Sequence, residues 1–117
     1  KGDIIFSENS PANHLYVLKK GRVAMEIKVS EEKHVSVYTI SHAGEAFGWS
    51  SLVEPFKFSA GARCVEDSTV ISIDVRKLKD QINQDYRLGY IIMGKVSKII
   101  SDRLRNTRLQ LIHVTYG

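Results

Sequence analysis

The chain has one cysteine, two prolines and one tryptophan in 117 residues, and no apolar run long enough to cross a bilayer. A single cysteine, Cys64, excludes an internal disulfide framework and makes a reducing cytoplasm the expected compartment. Pro11 and Pro55 stand far apart, which excludes a proline-rich, low-complexity chain. With no stretch of about 20 apolar residues and no signal-peptide pattern, no membrane partner is expected. Acidic residues also run short at one end. Residues 1–86 carry 11 Lys+Arg and 12 Asp+Glu, net −1, whereas residues 87–117 carry 6 and 1, net +5. A basic end can serve nucleic acid or anionic lipid, but these six cations are spread round a helix instead of forming a block. That spread favours a solvated helix face.

What is present is one domain's worth of chain, enough to bury a core. The first two-thirds reads as short strands: "KGDIIF", "LYVLKKG", "RVAMEIKV", "VSVYTI" and "TVISID". In "RVAMEIKV", Val23, Met25, Ile27 and Val29 alternate with Ala24, Glu26 and Lys28, the period of a half-buried strand. "SENSPANH", Gly21, "SEEKH" and "SHAGEAFG" supply turns between the strands, with "SEEKH" as a hairpin loop. Strands at this spacing predict a sandwich or jelly-roll barrel over about residues 1–74. From Val75 the period becomes helical and predicts two helices over about 75–112. The second runs from about Tyr86 to Ile112, and Leu88, Ile91, Ile92, Met93, Val96, Ile99, Ile100 and Leu104 fill an arc of about 220° on its wheel. One surface needs an arc of about 100°. The excess predicts two covered faces, the barrel on one side and the same helix of a second copy on the other. A preceding segment covering the second face is the alternative. The chain opens on Lys1 with a strand already under way, so it is expected to be part of a longer sequence that lacks a helical N-terminal part here.

Nothing in the chain reads as catalytic machinery. His14, His34, His42 and His113 have no Cys, Asp or Glu at metal-ligand spacing. Cys64 follows Arg63, which can depress a thiol pKa, but "AGARCV" puts Cys64 on one face with Ala60 and Ala62 and reads as a buried small hydrophobe. No nucleophile elbow is visible. The informative stretch is "GEAFGWSSLVEPFKFSAGARC". Gly48 precedes a short helical turn, "WSSLV", where free N–H groups and the Ser50 and Ser51 hydroxyls make a weak anion-friendly nest.

The order of these segments resembles the cyclic-nucleotide-binding domains of the catabolite-activator/FNR regulators and of cyclic-nucleotide-gated kinases and channels. "KGDIIFSENSPANHLYVLKKGRVAM" is similar to the family's opening, "GEAFGWSSLV" to its phosphate-binding cassette, "SAGARCVEDSTVISID" to the strands after it, and "RLRNTRL" to its long C-terminal helix. The resemblance covers nearly the whole chain. It implies an eight-stranded β-roll flanked by helices, with a C-terminal helix that commonly dimerises. It implies a cassette in which a Glu holds the ribose 2′-hydroxyl and an Arg pairs with the cyclic phosphate. Gly48 and Leu52 match that cassette, but Trp49 stands in the Glu position and Phe58 in the Arg position, with Ser59 and Ala60 as the two small residues after it.

The expected site is therefore Phe47, Gly48, Trp49, Ser50, Ser51, Leu52, Phe58, Ser59 and Ala60, with both charged contacts missing. The two aromatic rings either plug the vacated pocket or line it for a flatter, less charged ligand, and buried aromatics are more often core. Arg103 lies near the middle of the helix's apolar arc. It either reaches the barrel mouth as a replacement anion contact or, the favoured reading, snorkels or pairs across a dimer. Thr107 sits where the resemblance implies a contact to the base, after about one extra helical turn.

The expected protein is a cytoplasmic, non-catalytic sensing or regulatory domain with no metal or cofactor. Its expected ligand is a small molecule other than ordinary cyclic AMP or cyclic GMP, its expected partner a second copy, and it binds no nucleic acid by itself. The alternatives are a truncated effector domain of a DNA-binding transcription regulator, and a plugged dimerisation or protein-interaction module.

Overall fold

The computed structural model describes residues 2–116. Seven strands come first: β1 (Ile4–Phe6), β2 (His14–Lys20), β3 (Val23–Ser30), β4 (Lys33–Ile40), β5 (Ala46–Phe47), β6 (Gly61–Cys64) and β7 (Thr69–Asp74). Helices α1 (Val75–Gln84) and α2 (Tyr86–Tyr116) follow. The strands form two antiparallel sheets, ordered β1-β6-β3-β4 and β5-β2-β7. Phe6, Leu18, Val23, Met25, Ile40 and Phe47 are buried together in one apolar core.

The described residues hold seven strands where the resemblance implied eight. One further pairing stops short of a strand. Asn9 N–H donates to Phe58 O at 2.8 Å, Phe58 N–H to Ser10 O at 3.1 Å and Ala12 N–H to Phe56 O at 2.7 Å, yet only Pro11 and Lys57 form a bridge. Asn9 at φ 67° and Phe56 at φ 57° leave the extended conformation on either side of the bridge, so the ladder ends there.

The alternation of β3 holds for half its length. Val23 and Met25 are buried and Ile27 packs against the core, but Val29 is 57% exposed. The cause is β6, which pairs only with Val23 to Glu26 and leaves the rest of the β3–β4 hairpin beyond the core. The ladder also shifts between Met25 and Glu26: Met25 faces Tyr38 and Glu26 faces Ser36, so Val37 is left over as a bulge. Ala24, expected on the open face, is buried, with Arg63 opposite it in the ladder. The hairpin turn tightens to Glu31 and Glu32, because Ser30 already pairs with Lys33.

Gly21 is required where it stands. Its φ is +104°, and a Cβ there would collide with the Ser68 side chain. Ser68 Oγ accepts from Arg22 N–H at 3.0 Å, which ties the β2–β3 turn to the loop before β7.

The chain divides into two compact units, one ending at Leu78 and the other beginning at Lys79. Both helices start on aspartate. Asp74 accepts from Arg76 N–H at 2.9 Å and Asp85 from Arg87 N–H at 3.0 Å, which satisfies amide groups that the first turn leaves open. In the second unit, the 220° arc of α2 is only partly covered: Leu88, Ile92, Val96 and Ile99 are buried or half-buried, whereas Ile91, Met93, Ile100 and Leu104 are exposed, as are Tyr86, Tyr90, Leu109, Leu111, Ile112 and Val114 elsewhere on the helix. The helix continues four residues past the expected end at Ile112.

Candidate functional site

Strand β5 delivers the cassette. Phe47 lies opposite Tyr16 of β2, is fully buried, and carries the chain to Gly48 at φ 80°, ψ 25°. An L side chain is strained in that left-handed region, and a Cβ would also come within 3.1 Å of the Tyr16 ring. The reversal starts a single 3-10 turn, Trp49–Leu52. Ser51 N–H closes it onto Gly48 O at 3.1 Å, and Ser51 Oγ donates to the same oxygen at 2.8 Å. The one hydroxyl proton of Ser51 is thus turned back into its own turn. Ser50 and Ser51 are buried, Trp49 and Leu52 half-buried. The N–H groups of Trp49 and Ser50 precede the first hydrogen bond of the turn, as any 3-10 start provides.

The lead-in to β5 is anchored by a carboxylate. Glu45 accepts from Tyr38 Oη at 2.8 Å, from His42 N–H at 3.1 Å and from Ser41 N–H at 3.2 Å. Burial pushes its carboxyl up, but the Tyr38 hydroxyl and the two backbone N–H groups outweigh this and hold it below its ordinary value.

Phe58 lies at the other lip of the cassette and is 4% exposed. Its ring stacks on Phe6 at 3.7 Å between centroids, 13° from parallel. Phe6 in turn lies 5.5 Å from Tyr16 and 6.2 Å from Phe47, and Tyr16 stacks on Phe47 at 5.5 Å. A Cβ on Gly48 would sit 3.4 Å from the Phe58 ring, so the two cassette lips touch. The same burial raises the Tyr16 hydroxyl above its ordinary pKa.

No cation from the next strand replaces the missing arginine. Along β6, Ala62 and Cys64 are buried, while Gly61 and Arg63 belong to the other face. Arg63 is engaged there by Glu26, with Nε to Oε1 at 3.1 Å and Nη2 to Oε2 at 2.6 Å. That bidentate bond, more than the burial opposing it, holds the Glu26 carboxyl below its ordinary value. Sequence reading missed the pair. Arg63 and Glu26 are 37 residues apart, and only the β3–β6 register brings them together.

Of the expected site residues, Phe47, Gly48, Trp49, Ser50, Ser51, Leu52 and Phe58 form one locality. Ser59 beside it is exposed and Ala60 enters the core. Arg103 and Thr107 lie on α2, in the second unit. Among the described residues there is no group of three or more His, Cys, Asp or Glu side chains that could hold a metal ion.

A model of the cyclic nucleotide-binding domain family matches residues 1–85. Cyclic GMP-binding protein C of Dictyostelium discoideum is 29% identical over 106 residues, covering 91% of this chain and 4% of that protein's length. The crystal structure of a putative cyclic nucleotide-binding protein from Geobacter metallireducens GS-15 aligns with a TM-score of 0.75 and 29% identity, over 89% of this chain and 74% of that one. The Thermus thermophilus catabolite activator protein aligns at 0.75 and 22% identity, over 98% of this chain and 52% of that one.

Proposed function

The chain belongs to the cyclic nucleotide-binding domain family, and from that premise we propose that it is a non-catalytic regulatory domain whose cassette does not take cyclic AMP or cyclic GMP as its ordinary ligand. One observation carries this reading: Phe58, in the position that the family's cassette gives to arginine, is buried in an aromatic stack with Phe6. A cyclic phosphate keeps its negative charge at neutral pH, and burying it without a cation or several donors costs several kcal/mol. A lost charge-assisted hydrogen bond weakens binding by about 1.5–3 kcal/mol, and a lost ribose contact at Trp49 adds to that. Together these give a loss of at least about a hundredfold. Ser51, with its hydroxyl proton donated to Gly48, recovers little of it. Calorimetric titration with both nucleotides is the test. Low-micromolar binding at the cassette would overturn the reading, and millimolar or unmeasurable binding would support it.

The output of such a domain needs a partner, and the exposed face of α2 favours a second copy over nucleic acid. The helix has apolar residues exposed along its length, including Tyr90 at 83% and Leu111 at 67%. We therefore read the working state as a homodimer through α2, with no sequence-specific DNA reading by this chain. Among the described residues no helix is long and apolar enough to cross a membrane. The single buried thiol, Cys64, suits a reducing compartment, so the cytoplasm is the proposed location.

A further inference from the structure

The outer face of the four-stranded sheet is not flat. A groove of about 590 Å³ crosses it, between the turn that follows β1 and the β3–β4 hairpin. Its position follows from the ladders, in which opposed residues share a face. Ile4 and Ala24 both face Arg63, Glu26 faces Gly61, and Lys28 faces His34, in rows that step toward the hairpin turn. At Gly61 that face carries no side chain, and the groove opens there. The backbone does not demand glycine at this place. Its φ lies outside the left-handed region, and a Cβ would make ordinary contacts of 3.5 Å with Glu8 N and Phe6 O. Glycine in a strand often marks the close approach of a ligand or of another backbone.

The polar groups round the groove differ in what they already hold. Glu8 is drawn over it by its own hydrogen bond, Oε1 accepting from Lys28 N–H at 3.0 Å. Glu32, in the hairpin turn, borders the same end. At the other end stand Ile4, 65% exposed, and the Arg63–Glu26 pair. Three carboxylates thus border the groove against two cations, and both cations are engaged: Arg63 by Glu26 at 2.6 Å and Lys28 by Glu31 at 3.6 Å. Among the described residues, Glu8 Oε2 and the Glu32 carboxylate accept no hydrogen bond and pair with no cation. The uncompensated charge of the groove is therefore negative and lies at its hairpin end, while the opposite end offers aliphatic surface.

We infer that this groove binds a small organic cation, an aliphatic amine whose ammonium group meets Glu8 and Glu32 while its methylene chain lies over Gly61 toward Ile4. The volume falls within the range of about 300–1,000 Å³ typical of small-molecule sites. A bare metal ion is the poorer fit, since no three His, Cys, Asp or Glu side chains converge on such a site among the described residues. An ammonium group needs only two or three acceptors, and its stem gains from apolar contact. The inference does not rest on the cassette. Gly61 and Arg63 lie on the face of β6 opposite to the buried Ala62 and Cys64, so the groove stands whether or not the cassette takes a nucleotide.

Calorimetric titration of the full chain with spermidine tests this, with magnesium chloride as the control for charge alone. Spermidine is expected to bind one to one, and magnesium at equal ionic strength is not. Glu32→Lys changes an exposed turn position whose carboxylate the fold does not use, and it is expected to weaken spermidine binding at least about tenfold, the worth of one charge-assisted contact. Gly61→Val fills the floor of the groove and is expected to abolish binding, with circular dichroism and cooperative melting as the check that the fold is kept. Should Gly61→Val fail to fold, Glu32→Lys decides by itself. Binding that persists undiminished in Glu32→Lys, or in folded Gly61→Val, overturns the site. Magnesium binding as well as spermidine overturns its preference for amines, and no binding of spermidine at millimolar concentration overturns the inference outright.

Discussion

Phe58, proposed to stand where the family's cassette carries arginine, shows how much one residue changes. As an arginine it would need an anion to justify its place, and as a phenylalanine it needs only Phe6, on which its ring stacks. Phe58→Ala should cost about 3–5 kcal/mol of stability, the usual range for deleting a buried aromatic ring. Urea or thermal unfolding measures it, and a cost under about 1 kcal/mol would mean that the ring is not part of the core. Glu45 gives a pH signature. Its carboxyl is held below the ordinary 4.5, so the stability it contributes is fully present above that value and fades as pH falls through the lower folded pKa. Thermal midpoints measured down through the acid range should therefore drop less steeply for Glu45→Gln than for the unaltered chain. The glycine at 48 and the short turn after it were legible in the sequence, since each is a local matter of spacing and residue type. The direction of the Ser51 hydroxyl was not, because the same residue can face a ligand or its own backbone, and only the tertiary arrangement decides.

Among the elements, the helices were the most legible and the strand pairings the least. A sustained 3.6 period marked α1 and α2 within a few residues. The capping role of Asp85 can be checked directly: Asp85→Ala leaves the Arg87 N–H without its acceptor and should cost about 1 kcal/mol, read as a lowered thermal midpoint with the helix content unchanged below it. In the sheets, alternation in β3 correctly marked Val23 and Met25 as core. It could not show that β6 is too short to cover Val29, because burial of a strand depends on how far its neighbour extends. The Arg63–Glu26 pair escaped for the same reason. Periodicity gives the face on which a side chain lies, while register across the sheet gives its partner.

For the whole molecule, the division of charge is the feature with most to say. The first 86 residues are close to neutral and the last 31 carry +5. Within α2 a surface pair such as Lys98–Asp102, at 3.0 Å, offsets little of this. The six cations of α2 are spread round the helix, with Asp102 the one acid among them. In the proposed homodimer through α2, two copies that each carry this excess repel each other before they touch. At about 0.1 M salt, fields from such charges die away over about 10 Å, and over about 3 Å at 1 M. Added potassium chloride should thus tighten self-association, and the equilibrium constant from sedimentation should rise between about 0.05 and 0.5 M salt. A nucleic acid held by the same cations would behave in the opposite sense, losing affinity over that range. The sign of one salt titration therefore separates the two partners that a basic helix can have, and for the proposed homodimer it ties assembly to the ionic strength around it.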